Sequence, residues 1–178
     1  MGKETLNFVA IGEKVALRKI TPEDTDLIVK WRNNERVRNN FVYKVKFTRE
    51  IHENWYNTKI KAGLVEQFII CENKEGYRPV GSVYFRDIDR EKETAEYGIF
   101  IGEDDAVSKG YGSETAVLAL NVAKEKIGLK KVFLKAFTYN EIAIKSYSKA
   151  GFVKSGDLPQ VECSDGQKSD MILMEKLL

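Results

Sequence analysis

Residues 108–114 read Ser-Lys-Gly-Tyr-Gly-Ser-Glu, two glycines bracketing Tyr111 between an acidic run and an apolar stretch. The amides around Gly110 and Gly112 lack a Cβ shield, and a helix starting there presents unpaired N–H groups at the positive end of its dipole. A phosphate oxygen is a natural guest, and Lys109 adds a point charge. Taken alone, the pattern reads first as a glycine turn into a helix. Two known phosphate loops fail here. The Walker pattern needs its lysine after the second glycine, whereas Lys109 precedes both; the dinucleotide fingerprint needs a third glycine or alanine where Thr115 stands.

Other groups able to do chemistry are few. His52 is the single histidine, which excludes a multi-histidine metal site, and no GxSxG motif supports a hydrolase triad. Cys71 lies in an apolar run and Cys163 in a polar stretch, neither with a cysteine or histidine at metal-binding spacing. Burial is expected for Cys71, idle exposure for Cys163, and no metal for either. Lys and Arg number 29 against 27 Asp and Glu, a net charge of +2 with mixed signs, so no nucleic-acid partner is indicated. The N-terminal MGKETLNFVAIGEK has no apolar leader core, and the longest apolar runs fall far short of a bilayer. The expectation is a cytoplasmic protein without membrane contact. At 178 residues, 43% hydrophobic and 31% charged, the chain has room for one well-cored domain, residues 1–178.

These groups need a frame to position them. VALRKI at 15–20 reads as a strand, followed by a helix over TPEDTDLIVKWRNN with Thr21 as N-cap and Pro22 in the first turn. A second helix is expected from Thr48 to about Ala62. VEQFIICEN, PVGSVYFRDI and TAEYGIFI are β-rich runs that suggest an antiparallel meander. YGSETAVLALNVAKEKIG is the strongest helix, ending at Gly128; KKVFLKAF reads as a strand, NEIAIKSYSKAG as a short helix, and FVKSG and DMILMEKL as closing strands. The fold class is α+β, a mixed, largely antiparallel central sheet flanked by helices. The glycine loop thus joins the strand TAEYGIFI to the best helix.

In that setting the chain resembles the GNAT superfamily of acyl-CoA N-acyltransferases over most of its length. VSKGYG stands where the family has a Gln/Arg-x-x-Gly-x-Gly/Ala loop, and NEIAIKSYSKAGF matches a later block in Asn140, Ala143, Tyr147, Gly151 and Phe152. Two blocks in the right order are more specific than either alone. The resemblance implies the acyl-CoA N-acyltransferase fold and acetyl-CoA as acyl-donor co-substrate. It implies a pyrophosphate seat on Lys109 and the amides of Gly110, Tyr111, Gly112 and Ser113, with Ile99 and Ile101 as main-chain contacts to the pantetheine arm; Asn140, near its helix start, is open equally as an N-cap, a cofactor contact or both. Val107 replaces the usual Gln or Arg and removes that side chain's contribution. LRKITPEDTDLIVKWRNNERVRN and REIHENWY are similar to the branch holding ribosomal-protein N-terminal, spermidine and aminosugar acetyltransferases.

Acyl transfer from a thioester to an amine needs a neutral amine, a stabilised oxyanion and a proton for the leaving thiolate. An alkylamine with a pKa near 10 must lose a proton to attack. Glu96, two residues before Gly98, is one candidate base through a water, with a structural glutamate equally open; His52 is second. Gly98 within a strand suggests a bulge or a close backbone approach. Tyr147 is the proton donor by family position and a packed tyrosine by helical spacing. Arg32, Asn33, His52 and Trp55 lie in the part resembling the branch's substrate region, Arg32 being able to hold a carboxylate or phosphate. The acceptor is an amine on an aminosugar nucleotide, a polyamine or a protein N-terminus, and a polyamine would call for an acidic cleft. A homodimer is left open. The alternative is a non-catalytic acyl-CoA-binding sensor on the same fold, which could dispense with Tyr147.

Overall fold

A computed structural model describes residues 7–178; the N-terminal stretch read above for a leader lies partly outside them. The elements run β1 (Phe8–Ile11), β2 (Val15–Lys19), α1 (Thr25–Asn33), α2 (Glu35–Arg38), α3 (Arg49–Trp55), β3 (Glu66–Glu72), β4 (Pro79–Asp89), β5 (Thr94–Ile101), α4 (Tyr111–Val122), β6 (Lys131–Phe137), α5 (Glu141–Lys149), β7 (Val153–Glu162) and β8 (Lys168–Leu177). The strands form one sheet in the order β1-β2-β3-β4-β5-β6-β8-β7. Its neighbours pair antiparallel except β5 with β6, which run parallel. This is the mixed, largely antiparallel α+β architecture expected, the β3–β4–β5 meander included.

The strand sequences show why both faces are covered. Along β3, Phe68 and Ile70 enter one buried cluster, while Ile69 and Cys71 enter another on the opposite face. A strand buried on both sides reads as a continuous apolar run, and each large side chain so buried contributes about 1.5–3 kcal/mol. The first cluster packs under α4 through Ala116, Ala119 and Leu120; the second packs under α1 through Ile28 and Trp31. In β5 the same alternation sends Tyr97 to the α4 side and Phe100 to the α1 side.

Local signals set the helix ends. Asp24 closes the turn before α1, accepting from the Thr21 amide at 2.9 Å and from both Arg18 terminal nitrogens at 2.8 and 2.7 Å. Thr48 caps α3 by accepting from the Ile51 amide, and α3 continues as a wider π-helical turn over Tyr56–Ile60. Gly128, with φ of 82°, ends the extension of α4 in the left-handed region that glycine adopts without strain. Among the described residues no helix is long and apolar enough to cross a membrane.

Several elements differ from the sequence reading. Strand β1 and the short α2 went unassigned, and β7 is twice the length of FVKSG. Cys163, expected exposed, is buried at 3%, because the β7–β8 turn that carries it packs it with Phe137 and Met171, Leu158 and Val161 lying against them. Gly98 shows no bulge: it stands in register opposite Tyr84, and the pairing of β4 with β5 shifts only between Arg86 and Asp89.

Candidate functional site

Strands β5 and β6 pair only where Thr94–Glu96 lie against Lys131–Phe133. Beyond that, β5 continues to Ile101 beside β4, while β6 continues to Phe137 beside β8, so the two part and open a wedge. From Tyr97 to Ile101 one edge of β5 has no strand partner among the described residues. Its backbone groups need partners, and an extended ligand arm lying along the edge can supply them. Ile99 and Ile101, the expected main-chain contacts, lie in this open stretch.

Helices α4 and α5 follow the strand ends at which the wedge opens, and the Ser113 and Ser146 hydroxyls join them at 3.0 Å. Ser108 and Gly110 take left-handed φ values of 61° and 80°, turning the chain so that α4 begins at Tyr111. A Cβ on Gly112 would meet nothing within 4 Å, so the space beside its Cα is open. Lys109 is exposed. Lys14, which the sequence reading missed, reaches the Lys109 carbonyl at 3.4 Å and would stand 3.1 Å from a Cβ on Gly110. Two cations and the N-terminus of α4 therefore share this corner.

The remaining residues of the loop are structural. The Tyr111 side chain is buried and donates to Glu72 Oε1 at 2.9 Å, leaving only its backbone for a ligand. Glu114 accepts from the amides of Glu13, Lys14 and Val15 at 3.0, 2.8 and 2.8 Å, tying α4 to the β1–β2 turn. Asn140 caps α5, its Oδ1 accepting from the Ala143 amide at 3.4 Å.

Tyr147 sits half-buried on α5, its ring edge-on to Tyr97 at 6.1 Å and to Phe152 at 6.0 Å. Burial pushes its phenol above the usual range, and nearby Tyr84 raises it further. The hydroxyl therefore keeps its proton at neutral pH. Tyr84 comes from β4, and its phenol is raised by burial while Arg86 and Arg32 oppose the shift. Neighbouring Tyr97 is buried, with no partner for its hydroxyl and a strongly raised phenol.

On the α1 face lies a cavity of about 330 Å³ walled by Arg32, Phe41, Phe47, His52, Trp55, Gln67, Tyr84, Arg86 and Phe100 among others. No aspartate or glutamate is among its lining residues. His52 is 1% exposed; its Nδ1 lies 3.0 Å from Thr25 Oγ1 and its Nε2 has no partner. Burial lowers its pKa. Trp55 donates from Nε1 to Gln67 Oε1 at 3.2 Å. Asn33 does not line the cavity: its carboxamide grips both the carbonyl and the amide of Phe47, at 2.7 and 2.9 Å, and so shapes the wall. Glu96 lies behind the wall, buried, with Arg86 Nη2 at 2.6 Å and Lys135 Nζ at 3.8 Å.

Residues 14–153 match the family model described as an acetyltransferase (GNAT) domain. The chain belongs to the GNAT acetyltransferase family. Uncharacterized protein MJ1062 of Methanocaldococcus jannaschii is 30% identical over 152 residues, covering 84% of this GNAT chain and 30% of that longer protein. The prophage-derived uncharacterized N-acetyltransferase YokL of Bacillus subtilis is 26% identical, over 90% of this chain and 88% of its own. Among solved structures, the spermidine N-acetyltransferase of Vibrio cholerae in complex with CoA and spermine superposes with a TM-score of 0.85 at 22% identity, over 93% of this chain and 96% of that one. At that identity the likeness is one of fold. The wedge between β5 and β6 thus belongs to a GNAT domain, in which the loop at α4 and Tyr147 stand on one sheet face and the cavity on the other.

Tyr84, Arg86, Gln67 and Lys14 were not foreseen. Alternation along PVGSVYFRDI places Tyr84 and Arg86 on one face of β4, but the partner of that face is not written in the strand itself.

Proposed function

We propose that this GNAT protein transfers the acetyl group of acetyl-CoA to a primary amine by direct attack. The observation carrying the reading is that β5 leaves β6 after Glu96 and that Tyr84, a wall of the cavity, lies over Gly98 in this opened stretch, so that the cavity borders the free edge of the strand. An acceptor in the cavity and a thioester in the wedge would meet there.

Acetyl-CoA would lay its pantetheine arm along Ile99 and Ile101 and its pyrophosphate on the amides of Gly110–Ser113 beside Lys109 and Lys14. The amine nitrogen attacks the thioester carbonyl; the C–N bond forms, an oxyanion develops near the free edge of β5, and the C–S bond breaks. Tyr147 gives its proton to the departing sulfur and regains one from the amine, so the net reaction yields an amide and a free thiol. Glu96, through a water, is the first candidate to carry the amine proton; its Oε1 accepts a hydrogen bond from Arg86. His52 is the second, since burial keeps the ring neutral and its Nε2 is unpartnered. Asn140 serves α5 as its cap while remaining beside the cofactor path.

A polyamine acceptor is the second reading, suggested by the spermine bound to the Vibrio structure. The cavity here lacks the carboxylates that a polycation would pair with. One Vibrio structure is described as dodecameric, and sizing in solution would test the homodimer left open above. A cytoplasmic placement suits an acetyl-CoA-dependent reaction.

The test is release of free thiol from acetyl-CoA with aminosugars, polyamines and N-terminal peptides. Turnover with at least one amine is expected. Tight CoA binding without turnover on any amine would instead support the sensor.

A further inference from the structure

Arg32 is a buried cation without an anion. The residue is 7% exposed; Nη2 donates to the Tyr43 carbonyl at a long 3.3 Å, and Nη1 has no hydrogen-bond partner. No ion pair with a carboxylate is formed by it among the described residues. Its guanidinium lies 3.3 Å from the centroid of the Phe41 ring and 5.0 Å from that of Phe47, which orient it but cannot neutralise it. Desolvation brings its pKa down to about 10, and the charge of Arg86 adds to the fall.

Arg86 lines the same cavity and commits Nη2 to Glu96; its buried Nε makes no hydrogen bond, with Asp87 Oδ2 3.8 Å away, so Arg86 is already paired and Arg32 is not. Lys59 adds a third cation to the lining and no acid answers it there. An unpaired guanidinium out of water is costly unless something compensates it. Removing that cost on binding rewards a ligand of opposite charge, and a polycation would meet repulsion instead.

We infer that the acceptor amine carries an anionic group, a phosphate or a carboxylate, received by Arg32 with the help of Arg86. Both groups present the paired oxygens that a guanidinium fork holds best. The aromatic walls, Phe41, Phe47, Trp55 and Tyr84, then flank the body of the molecule. This inference rests on the reading of the cavity as the acceptor site.

The test compares glucosamine, glucosamine 6-phosphate, glucosaminic acid and spermidine by thiol release. At least one anionic amine should exceed glucosamine tenfold in kcat/KM, with spermidine poorest; the better of the two names the anion. Arg32→Gln should erase that advantage mainly through KM, and Arg86→Gln, at a more exposed side chain, should reduce it; CoA affinity and thermal unfolding check that each variant folds. Equal kcat/KM for neutral and anionic amines, or spermidine the best, overturns the inference. A second arm needs no turnover: phosphate and acetate are titrated against tryptophan fluorescence, Trp55 being in the wall. Saturation by either, weakened at least tenfold in Arg32→Gln, upholds the anion seat even if no amine is acetylated and the acyltransferase reading fails. Saturation by neither overturns the seat even if amines are acetylated.

Discussion

The Tyr84 ring fills the space that a side chain on Gly98 would need: a Cβ built there would lie 2.2 Å from Cζ and 2.4 Å from the hydroxyl oxygen. The two residues are register partners on β4 and β5. The glycine is thus required for close approach, since its φ is not in the left-handed region. Gly98→Ala should push Tyr84 into the cavity, lower thermal stability by about 1–3 kcal/mol and raise KM for the acceptor. Chemical denaturation and acceptor titration check this; an unchanged KM would show that Tyr84 does not border the acceptor.

Tyr147→Phe removes a hydroxyl and keeps the ring contacts with Tyr97 and Phe152. Turnover should fall about 100-fold or more, the usual weight of a positioned acid, with CoA affinity preserved. Because burial holds the Tyr147 phenol above its ordinary range, the wild-type rate should not decline through ionisation of this group near its usual pKa of about 10. Unaltered turnover in the variant would remove Tyr147 from the mechanism.

Glu96→Gln separates two roles. A glutamine can still accept from Arg86 but cannot take a proton. A base role predicts a turnover loss of about 100-fold that eases as pH rises and more amine is free. A purely structural role predicts near-normal turnover.

Glu114 holds three backbone amides of the β1–β2 turn with one carboxylate. Glu114→Ala leaves those donors without their acceptor and should cost about 2 kcal/mol or more. It should also loosen the start of α4, visible as weaker CoA binding. Gly12→Ala is a companion test, since its Cβ would stand 2.8 Å from the Glu114 carboxyl carbon.

His52 gives a pH signature. Its folded pKa lies below the unfolded value of about 6.5 because burial disfavours the cation. Between the two values the unfolded chain binds the extra proton, so stability rises with pH through that window and falls on acidification below about 6.5. His52→Gln should flatten this slope in unfolding experiments between pH 7 and 5. A slope identical to wild type would assign the acid sensitivity elsewhere.

Much of the frame was legible in the chain because its signals are local. The alternation in β2, β4 and β5, the Thr48 cap and the Gly128 stop depend on a few neighbouring residues. Strand β1 escaped notice because its four residues carry too little pattern, and the second half of β7 because its charges and a proline interrupt the alternation. Cys163 was misjudged for a related reason: a polar stretch says nothing of what folds across it.

The site divides along the same line. By itself the sequence determined that a glycine loop stands before a strong helix, that Asn140 can cap α5, and that Tyr147 follows at a spacing seen in one family; these are properties of contiguous residues. Only the tertiary structure decided that β5 leaves β6 after Glu96, that Tyr84 crosses onto Gly98, and that Arg32 and Arg86 meet in one carboxylate-free cavity. Those facts depend on residues far apart in the chain, and their energies, set by burial and by charges facing each other across strands, exist only once the sheet has closed over them.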